Sequence, residues 1–271
     1  MNANQTRQAL SELGIRADRS MGQNFLVNPM AVRRIVMALG EVSGRVLEIG
    51  PGLGSLTGGL LRAGHCLSAI ELSEPMSERL ERLYPELSVC RGDFLSVEPA
   101  DIPGFPFVAV ASNLPYNISS QAVLKLCEPQ YDSVEKAVLM FQKEMAVRLS
   151  CLDGGREYGR LSLLVWPWFT VEKLFDLTPG EFLPRPKVDS TVVLLVRKKN
   201  RIFTREEYAI YVRIVRAAFS ARRKKVINCL TGVFGKEASI AMLDAANIDP
   251  GLRAERIEPE KFAELAGKVI V

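Results

Sequence analysis

Asn113, Leu114, Pro115 and Tyr116 stand in a row just after a short apolar run, Phe107–Ala111. At the mouth of a strand, that order suits an exocyclic amine. The Asn113 side-chain carbonyl and the Leu114 backbone carbonyl can each accept one amine proton. Two acceptors at one nitrogen favour a pyramidal geometry and return a lone pair that an aromatic base otherwise draws into its ring. Pro115 stiffens the turn, and Tyr116 offers a face on which a base can stack. Such chemistry rests on orientation and preorganised dipoles. It needs neither a nucleophilic side chain nor an imidazole, and the chain holds one histidine, His65. Farther on, Pro184 and Pro186 stiffen Phe182–Val188. A fixed Phe182 beside the crevice would form the second wall of a base sandwich; packing of its own loop is the plainer use of that ring.

A second constellation precedes the first. Val46–Ile49 runs into Gly50–Pro51–Gly52–Leu53–Gly54, a strand entering a glycine-rich turn. Glycine lets the backbone turn sharply and approach a ligand closely. Glu71, 21 residues after Gly50, ends the next run with Leu72 beside it, and a carboxylate there can accept both hydroxyl protons of a ribose. Asp93 ends the third run; its carboxylate can take an adenine amino proton, with Phe94 against the base. Singly, these residues read as a tight loop, a solvated strand-end charge and a helix cap. In order, three strand ends aim at one crevice, where open α/β sheets bind ligands. The spacing is neither the phosphate loop, with its lysine, nor the dinucleotide Gly-x-Gly-x-x-Gly, since position 55 is serine. An adenosine ligand without pyrophosphate fits, and S-adenosylmethionine is the common one.

The elements that must position these residues alternate. Short runs at Val46–Ile49, Leu67–Leu72, Leu87–Cys90, Phe107–Ala111, Ala137–Phe141, Leu161–Val165 and Val192–Val196 read as strands. Helical stretches lie between many of them. The expectation is an α/β domain with a seven-stranded, mostly parallel sheet covered by helices on both faces. The last two runs lack an intervening helix and read as an antiparallel pair. Near residue 200 the texture changes: Thr204 and Glu207 make a capping box, and Tyr208, Val212, Val215 and Phe219 recur at helical spacing. Residues 1–200 are therefore expected to be the catalytic domain and 201–271 a small all-helical domain.

Lys and Arg number 35 against 31 Asp and Glu, a net charge of +4. The excess is local: residues 197–225 hold eleven basic and two acidic side chains, including the run Arg222, Arg223, Lys224 and Lys225. A basic block on a near-neutral body points to a polyanion such as RNA, a solvated helix face being the alternative. Five scattered cysteines without a CxxC pair offer neither a zinc site nor a disulfide framework and read as small buried hydrophobes. Trp166–Phe169 reads as core. Apolar runs stop well short of the roughly 18 residues of a membrane span, and the opening residues lack an apolar signal core. A reduced, cytoplasmic, monomeric protein without metal is expected.

Together these segments resemble the ribosomal RNA adenine N6-dimethyltransferase family, most closely its bacterial small-subunit branch. Glu48–Gly54, Glu71, Gly92–Phe94 and Asn113–Tyr116 match that family's motifs in order, as do Gln142–Glu144, Tyr158–Ser162 and Pro184–Ser190. Gly22–Leu26 resembles its opening motif, which implies that Asn24 and Leu26 touch the methionine end of the cofactor. Met21 and Arg185 depart from its usual residues, away from the proposed chemistry. The resemblance implies a class I (Rossmann-like) methyltransferase sheet with a reversed last strand and a helical RNA-binding C-terminal domain. It also implies dimethylation of two adjacent adenosines in the 3′-terminal hairpin loop of small-subunit rRNA, within a 30S assembly intermediate. Alternatives are the same chemistry on large-subunit rRNA, and a non-catalytic RNA-binding factor on the same fold.

Overall fold

A computed structural model of the chain describes residues 1–17 and 22–268; Arg19 and Met21 lie outside them. The chain forms two units, Met1–Ala146 with Val171–Arg197, and Val147–Thr170 with Lys198–Val271.

The first unit opens with helix α1 (Ala3–Glu12), strand β1 (Phe25–Leu26) and helix α2 (Pro29–Leu39). Asn28 caps α2 by accepting the Met30 amide at 2.8 Å, and Pro29 occupies the first turn, where its missing N–H costs nothing. Next come β2 (Arg45–Ile49), α3 (Thr57–Arg62), β3 (Cys66–Glu71), α4 (Glu74–Leu83), β4 (Ser88–Arg91), β5 (Ala109–Asn113), α5 (Ser119–Lys125), β6 (Lys136–Gln142) and α6 (Lys143–Ser150). The unit closes with β7 (Phe169–Leu177), β8 (Phe182–Leu183) and β9 (Ser190–Arg197). The unit boundary cuts through α6 and the start of β7.

Seven strands form one sheet in the order β4-β3-β2-β5-β6-β9-β7. β2 pairs in parallel with β3 and β5, β5 with β6, and β9 runs antiparallel to β6 with Val192 opposite Met140. Val46, Leu47, Val110, Val138 and Leu139 are fully buried, as continuous apolar runs in a sheet covered on both faces require. Strand order reverses about β2, with β3 on one side and β5 on the other. That is the switch point at which a crevice opens beyond the strand ends.

The second unit holds α7 (Arg160–Val165), α8 (Arg205–Ala218), α9 (Val226–Phe234), α10 (Lys236–Ala245) and α11 (Pro259–Lys268). Three expectations need correction. Leu161–Val165 is helical, not a strand, and its segment belongs with the C-terminal helices rather than with residues 1–200. A short, mostly buried and mostly apolar run has no clear period of its own and fits either element. The strand that sits beside β9 is β7, whose mixed exposure suits a sheet edge. Residues 163–168 then pack as core: the Tyr211 hydroxyl donates to the Leu163 carbonyl at 2.9 Å, and Trp168 meets Tyr208 edge-on, 4.9 Å between centroids. Of the five cysteines only Cys127 and Cys229 are buried, so the reading of all five as buried hydrophobes does not hold. No helix among the described residues is long and apolar enough to cross a membrane.

Candidate active site

The ends of β2, β3, β4 and β5 open on one cavity of about 500 Å³, within the range of small-molecule sites. The turn after β2 forms its floor. Gly50 and Gly52 have φ of +63° and +57°, which side chains other than glycine's rarely adopt. A Cβ on Gly52 would stand 3.0 Å from the Phe25 ring, and one on Gly50 would stand 3.4 Å from Pro115. The glycine turn therefore lies directly against the Asn113–Tyr116 loop.

Glu71 pins that turn from β3. One carboxylate oxygen accepts the Gly52 amide and the other the Ser73 amide, both at 2.9 Å. Burial pushes its pKa up, against the pull of the Ser73, Gly52 and Leu72 amides. A carboxylate oxygen has room for more than one donor, so ribose hydroxyls can still be received. Leu72 lines the cavity yet is 55% exposed, which makes it the rim. Asp93 and Phe94 line the wall after β4. Asp93 also caps its own turn, accepting the Leu95 amide at 2.9 Å, as the helix-cap reading expects.

Asn113 sits at the end of β5. Its amide nitrogen donates to the Asn24 carbonyl at 2.8 Å, which leaves Oδ1 as the side chain's acceptor. Leu114 and Pro115 line the same space, and the Tyr116 hydroxyl is 2.7 Å from Ser190 Oγ, which fixes the ring against β9. Burial raises the Tyr116 pKa. Asn24 and Leu26 also line the cavity, and the Leu26 carbonyl accepts Ser55 Oγ at 2.8 Å. The glycine turn, Glu71, Asp93 and Asn113 thus line one cavity, and their chemistry fits an adenosine-bearing sulfonium beside a planar base.

Phe182 is placed elsewhere. It pairs with Leu26 across β1 and β8, is 2% exposed, and belongs to the hydrophobic core rather than the cavity wall. The second wall expected of it is not formed; its ring instead holds down the strand that carries Leu26. Residues that sequence reasoning passed over include Thr6 and Ile15, which reach the cavity from the N-terminal segment.

Glu48, at the end of β2, lines the cavity and is buried, and its Oε2 has no hydrogen-bond partner among the described residues. Burial pushes its pKa up to about 8; Thr57 opposes this and the nearby Glu71 adds to it. A carboxyl whose folded pKa exceeds its ordinary 4.5 stabilises the fold below that value, and the contribution is lost as pH rises through about 8. Wild-type Tm should accordingly fall by several degrees between about pH 6 and pH 9, whereas Glu48→Gln, uncharged throughout, should show a flatter profile. Parallel Tm–pH curves for the two proteins would remove Glu48 as the titrating group.

The basic run lies in the turn between α8 and α9, and Arg222, Arg223, Lys224 and Lys225 are all exposed. Arg222 is not free: its guanidinium donates to the carbonyls of Arg156 and Tyr158 and stands 3.8 Å from Glu255. It ties the 154–158 loop to this turn, a role that the charge run alone does not reveal.

Comparison with known proteins follows the same line. A family model described as "Ribosomal RNA adenine dimethylase" matches residues 14–269. The chain is 38% identical to "Ribosomal RNA small subunit methyltransferase A" of Myxococcus xanthus, over 96% of this chain and 93% of that one. It is 40% identical to the protein of the same name from Aromatoleum aromaticum, over 94% of each. Among solved structures, a dimethyladenosine transferase from Plasmodium falciparum matches with a TM-score of 0.74 and 28% identity, covering 89% of this chain and 95% of that one. The 23S rRNA methyltransferase ErmE matches at 0.69 and 26%, covering 92% and 100%.

Proposed function

The chain belongs to the ribosomal RNA adenine dimethylase family, and on that premise we propose that it transfers methyl groups from S-adenosylmethionine to N6 of adenosines in small-subunit rRNA. The observation that carries this reading is the meeting of Gly50, Glu71, Asp93 and Asn113 in one cavity. The bound donor supplies an electrophilic methyl on a sulfonium. Asn113 Oδ1 and the Leu114 carbonyl accept hydrogen bonds from the two amine N–H groups and turn the lone pair outward. Tyr116, held by Ser190, stacks on the base. Neither Asn113 nor Tyr116 takes the proton that the amine sheds once its N–C bond has formed, and that proton leaves to solvent water; the two residues hold the amine in line, and placement supplies the rate. Phe182 takes no direct part.

The specific target is the pair of adjacent adenosines that the sequence resemblance implies, in the loop of the 3′-terminal hairpin. A loop adenine is partly unstacked already, so extruding it costs at most a few kcal/mol. The small-subunit assignment draws on relatives of 37–40% identity that carry that name, against 26% for the 23S enzyme. Arg223, Lys224 and Lys225 are the cations left to meet phosphates, with Arg222 divided between RNA and its own loop. The substrate is an immature 30S particle and the working form a monomer.

Labelled donor incubated with undermethylated 30S particles should yield N6,N6-dimethyladenosine on nucleoside digestion, and naked large-subunit RNA should yield none. Label on a ring nitrogen or only on large-subunit RNA would overturn the proposal. In the same assay, Arg223→Glu with Lys224→Glu should raise the KM for particles about tenfold and reduce its salt dependence. An unchanged salt slope would mean that this face is only solvated.

A further inference from the structure

Lys125, the last residue of α5, reaches the turn that follows β4. Its ammonium donates to the carbonyls of Phe94 at 2.7 Å, Leu95 at 3.2 Å and Val97 at 2.7 Å. An ammonium has three protons, and each has an acceptor here. The same nitrogen lies 5.3 Å from the centroid of the Phe94 ring. The turn is a single coil: the Ser96 and Val97 amides return to the Asp93 carbonyl, and the Asp93 carboxylate accepts the Leu95 amide. Carbonyls at the end of such a coil have no partners within it, and a cation suits their negative end. Lys125 is half-buried, with its charge turned inward on main chain rather than outward toward phosphate.

The coil that it gathers carries Asp93 and Phe94, both on the cavity wall. At its other end α5 holds the amine-accepting loop, since Ser119 Oγ donates to the Pro115 carbonyl at 2.9 Å. One seven-residue helix therefore grips the loops that flank both ends of the reaction space. We propose that Lys125 is a positioning residue for the adenine end of the donor: by gathering three carbonyls it sets the Asp93–Phe94 coil so that the Asp93 carboxylate reads the adenine amine. This rests on the donor site proposed above.

The test is calorimetric titration of the full-length protein with S-adenosylhomocysteine and with S-inosylhomocysteine, which carries oxygen in place of the adenine amine. Wild type should prefer the adenosyl ligand. Lys125→Met keeps the stem and removes the donors; it should weaken the adenosyl ligand about tenfold, leave the inosyl ligand within about twofold, and so collapse the preference. The donor KM should rise by the same factor while kcat at saturating donor holds. Equal weakening of both ligands, or no change in either, overturns the proposal, because a merely structural lysine would not distinguish them. Should Lys125→Met fail to fold, Lys125→Arg carries the test. Its longer, planar fork spreads its donors over several nitrogens and cannot set one ammonium-sized centre among the three carbonyls, and the preference should fall about threefold; an undiminished preference overturns the proposal. Wild type binding neither ligand would sink the donor site and this inference together. Binding without methylation of 30S particles would sink the substrate assignment alone.

Discussion

Asn113→Ala should lower kcat for methyl transfer about a thousandfold while S-adenosylhomocysteine still binds within about fivefold of wild type. The split follows from the two ends of one amide. Oδ1 is the acceptor offered to the target amine, and the Leu114 carbonyl beside it is main chain, which alanine leaves in place. Losing one of two preorganised acceptors removes the geometry that restores the amine's lone pair, and that loss is felt in the transition state. Nδ2 donates to the Asn24 carbonyl, so truncation also frees a segment that borders the cofactor cavity. The modest loss of ligand affinity comes from there. Asn113→Asp separates the contributions. It keeps an acceptor but sets a carboxylate oxygen against the Asn24 carbonyl, so it should retain more turnover than alanine and bind the ligand less well. Single-turnover rates with undermethylated 30S particles, beside calorimetry, measure both. Turnover within about threefold of wild type for Asn113→Ala would remove amine acceptance from the mechanism.

What was legible in the sequence was the chemistry carried by side-chain type at a strand end. A glycine turn, Glu71, Asp93 and Asn113 each follow a short apolar run, and parallel pairing of those runs brings their ends to one edge. What was not legible depended on partners far away in the chain. Phe182 reads as a free aromatic beside two prolines until Leu26 is known to lie opposite it, and nothing in the spacing announces that pairing. Leu161–Val165 has no polar residue after Ser162 to reveal a period, so in sequence its helix reads as a strand. β7 carries Glu172, Lys173 and Asp176 among its apolar residues because it lies at the sheet edge, and that mixture hid it. α2 did leave a signal, Asn28 followed by Pro29 at the first turn. Lys125 left none, because its acceptors are main-chain carbonyls that any sequence would present.

Glu71→Ala should raise the donor Kd about a hundredfold, some 2.7 kcal/mol, the largest effect on binding expected from any single side chain here. Glu71 acts twice. Its oxygens hold the Gly52 and Ser73 amides, each at 2.9 Å, and their remaining lone pairs are the acceptors proposed for the ribose. Truncation therefore removes the ribose acceptor and also releases the glycine turn, whose amide is left without a partner inside the protein. Glu71→Gln shows which matters more. The isosteric amide keeps one carbonyl oxygen but turns an NH₂ toward one of two backbone donors, so one end must let go. If ribose recognition dominates, Gln and Ala should be about equally poor; if turn support dominates, Gln should recover most of the affinity. In both variants kcat at saturating donor should stay within about threefold, because Glu71 touches the handle of the donor and not the methyl in flight. A Kd for Glu71→Ala within about threefold of wild type would mean that the ribose is held elsewhere, and the order of strand ends that locates adenine at Asp93 would have to be redrawn.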